Sequence, residues 1–124
     1  MKEKSNRLPD SELAVMQVIW DLETPVGSGA IVAKMEEEKG WSRSTTQVLL
    51  NRLEEKEFLV SEKNGRLKLY TPVVKKDDYV SNETKNFLEH FYQNSYQGLI
   101  ASLVKDEKIT EDDIDEIVSI IKGK

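Results

Sequence analysis

The sequence predicts a mainly α-helical protein with one small β-hairpin, divided into residues 1–74 and residues 75–124. Three observations lead to this fold class. Apolar residues recur at helical spacing as far as about Glu57, the period then changes to two around Asn64-Gly65, and three stretches with one apolar stripe each follow. The predicted order is therefore three helices, a hairpin and three more helices.

The first two helices begin the predicted core. Asp10 or Ser11 can cap the first helix and Ser28 the second, because short polar side chains accept hydrogen bonds from free N–H groups at a helix start. Residues 24–27 (Thr-Pro-Val-Gly) interrupt the helical pattern between them, and Gly40 ends the second helix. The side chains expected inside are Leu13, Val15, Met16, Val18, Ile19, Trp20, Leu22, Ile31, Val32 and Met35.

The third predicted helix carries the candidate functional face. Ser42 is its expected N-cap, and its buried side is expected to contain Val48, Leu49 and Leu53. Short polar and basic residues fill the first turns, and four of them share the face opposite the leucines: Arg43, Ser44, Gln47 and Asn51. A DNA major groove admits one helix, and such side chains hydrogen-bond base edges and phosphates. The alternative is that this face is only solvated.

The hairpin strengthens the first of these two interpretations. Asn-Gly between alternating runs predicts a type I′ turn, because both residues tolerate the positive φ it requires, and Pro72 closes the second strand. Polar and basic residues around this turn could reach a DNA backbone beside the groove: Lys63, Asn64, Arg66 and Lys68. Three helices followed by a hairpin predict a winged helix-turn-helix, a fold common among DNA readers although some members bind only proteins.

Three further helices are predicted to begin at Asp77 or Asp78, at Ser95 and at Thr110. Each has a single apolar stripe, which cannot offset a backbone ordering cost of roughly 1 to 2 kcal/mol per residue. A second copy of the chain is the simplest partner, so residues 75–124 are expected to form a three-helix dimerisation domain. The expected interface contains Tyr79, Phe87, Leu88, Phe91, Leu99, Leu103, Ile114, Ile117, Val118 and Ile121.

The composition argues against an enzyme, a metal site or a cofactor. The 124 residues contain no cysteine and one histidine, which leaves few side chains for a zinc site or a general base. His90 is expected to be structural, and the acids that follow Thr110 are expected to complement the helix dipole. The Gly27-Ser28-Gly29 segment lacks the third glycine of a dinucleotide-binding loop.

Charge and hydropathy set the expected surroundings. The net charge is -5, but residues 1–72 contain 11 Lys/Arg and 12 Asp/Glu, whereas residues 73–124 contain 7 and 11. The acidic excess therefore lies in the second part, and the first part can still present a basic face to DNA. No apolar stretch is long enough to span a bilayer, and no signal-peptide core follows Met1, so the chain is expected to be cytoplasmic without membrane insertion.

The chain resembles the penicillinase-repressor family, which includes a copper-responsive branch. The resemblance rests on Asp10 to Trp20 (DSELAVMQVIW), on Trp41 to Leu53 (WSRSTTQVLLNRL), and on Tyr79-Val80 with Thr84 to Leu88 (TKNFL). It implies a homodimeric repressor bound to a palindromic operator with TACA/TGTA half-sites. In that family the start of the third helix touches bases, which implies this role for Ser42, Arg43, Ser44, Thr45 and Gln47. The family often has Pro-Lys where this chain has Arg43-Ser44.

The resemblance also bears on the inducing signal. The copper branch senses copper through a cysteine-rich tail, and this chain contains no cysteine. The β-lactam branch is inactivated by cleavage at an Asn-Phe bond in its dimerisation domain, triggered by a membrane sensor. The aligned position here is Ser102-Leu103, the possible cleavage site, whereas Asn86-Phe87 lies one helix earlier.

Together these observations predict a cytoplasmic homodimeric DNA-binding repressor of a β-lactamase or antibiotic-resistance operon, relieved by proteolysis of its dimerisation domain. The expected partners are double-stranded palindromic DNA, a second copy of the chain and a protease activated by a membrane sensor. The alternatives are a winged-helix protein-interaction module without DNA binding and a repressor of a different stress operon. The predicted DNA-binding residues are Ser42, Arg43, Ser44, Thr45, Gln47, Asn51, Arg52, Lys63, Asn64 and Arg66.

Overall fold

Six helices and three short strands follow one another along residues 7–124, the part of the chain that the computed structural model describes. Residues 1–6 lie outside the described residues. They are part of the predicted domain 1–74 and of the N-terminal stretch in which no signal peptide is expected. The elements are α1 (Asp10–Asp21), β1 (Val26–Gly27), α2 (Ser28–Lys39), α3 (Arg43–Glu55), β2 (Leu59–Asn64), β3 (Leu67–Pro72), α4 (Lys76–Tyr92), α5 (Tyr96–Lys105) and α6 (Glu111–Lys122).

Three of the predicted helix caps are confirmed. The Ser42 side chain accepts a hydrogen bond from the Thr45 N–H, and Ser95 caps α5 in the same way through the Gly98 N–H. Thr110 forms a reciprocal capping box with Asp113 at the start of α6. The caps predicted for the first two helices are wrong. Pro9 precedes α1 and Gly27 precedes α2, neither with a side-chain cap, so that Asp10 and Ser28 are already the first helical residues.

The three strands form one antiparallel sheet in the order β1-β3-β2. Asn64 pairs with Leu67, so the two-residue turn consists of Gly65 and Arg66. Gly65 has φ 68°, whereas Arg66 does not have a positive φ, which is the pattern of a type II′ turn. The predicted type I′ turn at Asn64-Gly65 is therefore wrong by one residue, and Asn64 is a strand residue.

Strand β1 is absent from the sequence prediction, which has only a break between two helices at residues 24–27. Val26 pairs with Tyr70 and Gly27 with Leu69, which places these two residues beside β3. A strand of two residues is too short to show a period of two in the sequence. Its effect is to give β3 a neighbour on both sides, so that β3 is the central strand of the sheet.

The N-terminal core extends further along the chain than predicted. Tyr79 is 7% exposed, its hydroxyl accepts a hydrogen bond from the Leu8 N–H at 2.9 Å, and its ring lies 5.8 Å from the rings of Trp20 and Phe58. The Trp20 indole N–H also donates to the Val74 carbonyl at 3.0 Å. The predicted dimer-interface role of Tyr79 is therefore wrong, because its side chain is already part of the core.

The chain divides into two compact units, the first ending at Val80 and the second beginning at Ser81. This division lies six residues beyond the predicted boundary at 74/75, and the burial of Tyr79 in the first core accounts for the difference. Among the described residues, no helix is long and apolar enough to cross a membrane.

The second unit leaves much of its apolar surface uncovered. Leu88 is 3% exposed, so its side chain offers almost no surface to a second copy of the chain. Phe87 contacts Phe91 and Tyr92 at ring distances of 5.2 and 5.8 Å, and Tyr92 donates a hydrogen bond to the Ser102 hydroxyl at 3.2 Å. No residue of α5 or α6 is fully buried. Of the predicted interface side chains, Leu99, Leu103 and Ile114 are half-buried, whereas the exposed ones are Phe87, Phe91, Ile117, Val118 and Ile121.

Candidate nucleic-acid interface

Helix α3 is held in place by its buried side. Thr46, Leu49, Leu50 and Leu53 are buried, and they pack the helix into the core formed with α1, α2 and the sheet. At the end of the helix, the Lys56 ammonium donates to Glu12 of α1, whose side chain is 3% exposed. A buried carboxylate needs such a partner, because an unpaired buried charge is costly. The exposed side of α3 therefore rests on a fixed support.

The predicted reading face lies on the exposed side of α3. Gln47 is half-buried, and the other predicted contact residues of this helix are exposed: Ser42, Arg43, Ser44, Thr45, Asn51 and Arg52. Helical geometry places Ser44 and Asn51 near the middle of this side, with Arg43 on one flank and Arg52 on the other. A positive charge thus lies on each side of a strip of short hydrogen-bonding side chains.

Val48 does not lie where the sequence analysis placed it. Its side chain is 47% exposed, on the same side of α3 as Ser44 and Asn51, so the prediction that it packs in the core is wrong. Leu49 and Leu53 are four positions apart and share one face of the helix, whereas Val48 is five positions from Leu53 and therefore lies on another side. An aliphatic side chain is therefore part of the candidate reading face.

Gln47 is tied to the sheet. Its Nε2 donates to the Tyr70 hydroxyl of β3 at 3.2 Å and to the Asn51 Oδ1 at 3.1 Å. Tyr70 is fully buried, so this bond anchors the Gln47 amide to a rigid group. Both Nε2 hydrogens are used within the chain, which leaves the Gln47 carbonyl oxygen as the acceptor for an outside donor.

A polar network joins α3 to both long strands of the hairpin. Glu54 accepts a hydrogen bond from the Ser61 hydroxyl at 2.6 Å and pairs with the Lys68 ammonium at 3.4 Å. The Lys68 ammonium also lies 5.6 Å from the centre of the Tyr70 ring. Burial lowers the pKa of Lys68, but attraction to Tyr70 and Glu54 and hydrogen bonds to both outweigh it, so that this pKa lies above its ordinary value of 10.5.

Sequence reasoning missed three members of this network: Glu54, Ser61 and Tyr70. Their roles depend on tertiary contacts, and the available signal was weak. Tyr70 follows Lys68 at the strand period of two, which places both side chains on one face of β3, and that is the face on which Gln47 and Glu54 meet them.

The tip of the hairpin presents the remaining predicted contacts. Lys63, Asn64 and Arg66 are exposed, and Lys63 stands opposite Lys68 in the β2–β3 ladder. The Lys68 ammonium is paired with Glu54, whereas Lys63 and Arg66 are exposed to solvent. The Lys63 ammonium and the Arg66 guanidinium are therefore accessible to an anion at the tip of the hairpin.

One buried polar atom beneath the reading face has no hydrogen-bond partner among the described residues. The Thr46 hydroxyl is fully buried and unpaired, although the Thr46 N–H donates to the Ser42 carbonyl at 3.1 Å. This atom faces the core rather than the exposed side of α3, so it takes no part in the candidate interface.

Comparison with known sequences places the chain in a family. A family model described as "Penicillinase repressor" matches residues 8–123. The penicillinase repressor of Bacillus licheniformis is 28% identical over 119 residues, which cover 96% of this chain and 92% of that protein. The methicillin resistance regulatory protein MecI of Staphylococcus aureus is 27% identical over 124 residues, all of both chains.

Comparison with solved structures agrees with this result. The solution structure of the DNA-binding domain of the repressor BlaI matches with a TM-score of 0.54 and 34% identity, covering 59% of this chain and 88% of that one. The Bacillus licheniformis BlaI monomeric form, solved in complex with the blaP half-operator, matches with a TM-score of 0.52 and 34% identity over the same shares. With a winged-helix N-terminal unit and a family match over nearly its whole length, this chain belongs to the penicillinase repressor family.

Proposed function

We propose that this protein is a DNA-binding transcriptional repressor that inserts the exposed side of α3 into the major groove of its operator. The observation that carries the proposal is the strip of exposed Arg43, Ser44 and Asn51 with half-buried Gln47, on a helix fixed by its buried side. A related BlaI domain was solved with half-operator DNA, which supports the same mode of binding here. The regulated genes are proposed to be a β-lactamase or antibiotic-resistance operon, as the names of the relatives suggest.

The positive charges at the start of α3 and those at the hairpin tip have different roles in this mechanism. Arg43 can donate to guanine O6 or N7, and the Gln47 carbonyl oxygen can accept from a base amino group. The start of α3 favours a phosphate through its free N–H groups and dipole. Lys63 and Arg66 at the hairpin tip contact neighbouring phosphates, which fixes the register of the helix without reading sequence.

We also propose that the repressor acts as a homodimer assembled through residues 81–124. The exposed apolar side chains of this unit support it: Phe87, Phe91, Val104, Ile117, Val118, Ile120 and Ile121. Covering such side chains against a second copy removes apolar surface from water at about 25 cal/mol per Å². A two-fold dimer fits a palindromic operator, for which the proposed half-sites are TACA/TGTA.

Induction is proposed to follow proteolysis by a protease that a membrane sensor activates. Ser102 and Leu103 lie within α5 and are half-buried, and the Ser102 hydroxyl accepts a hydrogen bond from Tyr92. A cut at this bond would divide α5 and detach α6, and with it many of the apolar side chains proposed to hold the dimer. Exposing cells to a β-lactam and following the chain by immunoblot tests this step. A fragment of about 102 residues is expected, and a full-length band that persists while the target genes are expressed would exclude it.

The central test is binding of the full chain to a palindromic duplex with TACA/TGTA half-sites and to a scrambled duplex. Arg43→Ala and Gln47→Ala should each weaken binding to the palindrome by roughly 1 to 3 kcal/mol and reduce discrimination against the scrambled duplex. Lys63→Ala and Arg66→Ala serve as matched controls. They should weaken both duplexes alike and lower the salt slope by about one unit per lost contact.

Two results would contradict the proposal. If the first two variants keep full affinity and discrimination, α3 does not read the groove. If the wild-type chain does not distinguish the duplexes at all, the chain is better described as a winged-helix module that binds proteins. Selective binding to an operator of another stress gene would keep the mechanism and change only the regulated operon.

A further inference from the structure

The reading face contains one feature that hydrogen bonding does not explain. Val48 is 47% exposed on α3, and the residues three and four positions away on either side are all exposed and polar. These neighbours are Ser44, Thr45, Asn51 and Arg52. An isolated branched aliphatic group therefore lies at the centre of a polar surface, on the side of the helix that the proposed function turns toward DNA.

Neither helix stability nor packing accounts for a valine at this position. A β-branched residue has a lower helix propensity than alanine, and the exposed half of this side chain gains nothing from the core. The buried side of α3 is already filled by Thr46, Leu49, Leu50 and Leu53. What the exposed methyl groups of Val48 can offer a ligand is apolar contact of a defined shape.

The major groove presents one apolar group on a base edge, the C5-methyl of thymine. The other groups exposed on the groove floor are hydrogen-bond donors and acceptors, for which valine has no counterpart. We propose that Val48 is a specificity-determining residue that contacts a thymine C5-methyl group in each half-site. This inference rests on the proposed function, since it requires α3 to lie in the groove. It adds an apolar contact to the hydrogen bonds that Arg43, Ser44 and Asn51 can form.

The test removes the Val48 methyl groups and the thymine C5-methyl group, first one at a time and then together. The full chain and Val48→Ala are titrated with the TACA/TGTA palindrome and with versions in which one thymine position at a time is replaced by deoxyuridine in both half-sites. Deoxyuridine lacks only the C5-methyl group and keeps every hydrogen-bonding group. For the wild-type chain, one thymine position should show a loss of about fourfold in affinity per half-site, the value of one buried methyl-sized group.

On the thymine duplex, Val48→Ala should lose a similar factor in affinity. Its affinity should not fall further when that same position carries deoxyuridine. Because alanine is the better helix former, the variant is expected to fold, and its circular dichroism verifies this. Val73→Ala is the matched control, since Val73 is 52% exposed and lies outside α3. It should retain the full wild-type sensitivity to deoxyuridine.

The possible failures are distinguishable. If the wild-type chain binds the palindrome no better than a scrambled duplex, the proposed function is wrong and this inference falls with it. If the wild-type chain discriminates but Val48→Ala keeps the same deoxyuridine profile, only the Val48 contact is wrong. The same conclusion follows if no thymine position in the palindrome is sensitive to loss of its methyl group.

Discussion

At the scale of single residues, the candidate interface contains side chains that are held and side chains that are free to adjust. Gln47 and Asn51 are bonded to each other, and Gln47 is bonded to the buried Tyr70. Arg43 and Ser44 are exposed at the start of the helix. A side chain that is already fixed loses less entropy on binding, so the held pair should contribute more to selectivity per contact formed.

Tyr70→Phe tests the importance of this preorganisation. The phenyl ring keeps the packing in the core, but the acceptor for the Gln47 amide is lost. We expect a stability loss of about 0.5 to 1.5 kcal/mol in urea unfolding, together with reduced discrimination between operator and scrambled DNA. Tyr92→Phe is a matched control, because it removes the hydroxyl that donates to Ser102 at 3.2 Å in the second unit. A Tyr70→Phe variant with undiminished discrimination would show that the bond to Gln47 has no role in reading.

At the scale of elements, the structure separates what the sequence determines locally from what it determines at a distance. The caps of α3, α5 and α6 were predictable because Ser42, Ser95 and Thr110 act on N–H groups only three residues away. The hairpin was predictable from its alternation, but its turn was misplaced by one residue. Strand β1 and the position of Tyr79 depend on partners more than 20 positions away, about which local periodicity carries no information.

The turn of the hairpin gives the first prediction at this scale. Gly65 has φ 68° and a Cβ there would meet no atom within 4 Å, so Gly65→Ala is strained by its backbone alone. A loss of about 1 kcal/mol in unfolding free energy is expected. Gly29→Ala in α2 is the control, since it also has open space but no positive φ, and it should be stabilising by about 0.5 to 1 kcal/mol. Equal effects of the two substitutions would refute the assigned turn.

The capping box of α6 gives a pH dependence. Hydrogen bonds from the Thr110 backbone and side chain hold the pKa of Asp113 below its ordinary value of 3.8. Because the folded state favours the carboxylate, this stabilisation is present above the unfolded pKa and disappears as the pH falls through the lower folded pKa. The difference in unfolding free energy between wild type and Asp113→Asn should therefore be constant near neutral pH and shrink below about pH 4. Asp112→Asn provides the comparison, and a difference that does not change on acidification would exclude the capping role.

At the scale of the whole molecule, the two units divide the work of the proposed repressor. The N-terminal unit extends to Val80 because Tyr79 closes its core. A truncated chain that ends after Val80 should fold and remain monomeric in light scattering, whereas the full chain should be a dimer. Ending after Val74 removes Tyr79 and should cost about 3 kcal/mol or more in stability, as for other buried aromatic side chains. Equal stability of the two truncated chains would show that Tyr79 does not belong to the first core.

The same truncation bears on operator affinity. Two half-sites held by one dimer share a single association cost, and separate N-terminal units lose this effective concentration. The chain that ends after Val80 should therefore bind the palindrome about 10²-fold or more weakly than the full chain, while keeping its preference for a single half-site. If the truncated chain binds the palindrome as tightly as the full chain, operator affinity does not depend on dimerisation.

The unpaired hydroxyl of Thr46 has a consequence for how such a protein can change over evolutionary time. Thr46→Val replaces a buried, unsatisfied oxygen by a methyl group of the same shape, and should raise the unfolding free energy by about 1 kcal/mol without altering DNA selectivity. On the opposite side of the same helix, changes at Arg43 or Val48 should alter selectivity with little effect on stability. Two independent sets of mutations are thus available on one helix. A lineage can accumulate robustness on the inner side and then use it to tolerate new operator preferences on the outer side.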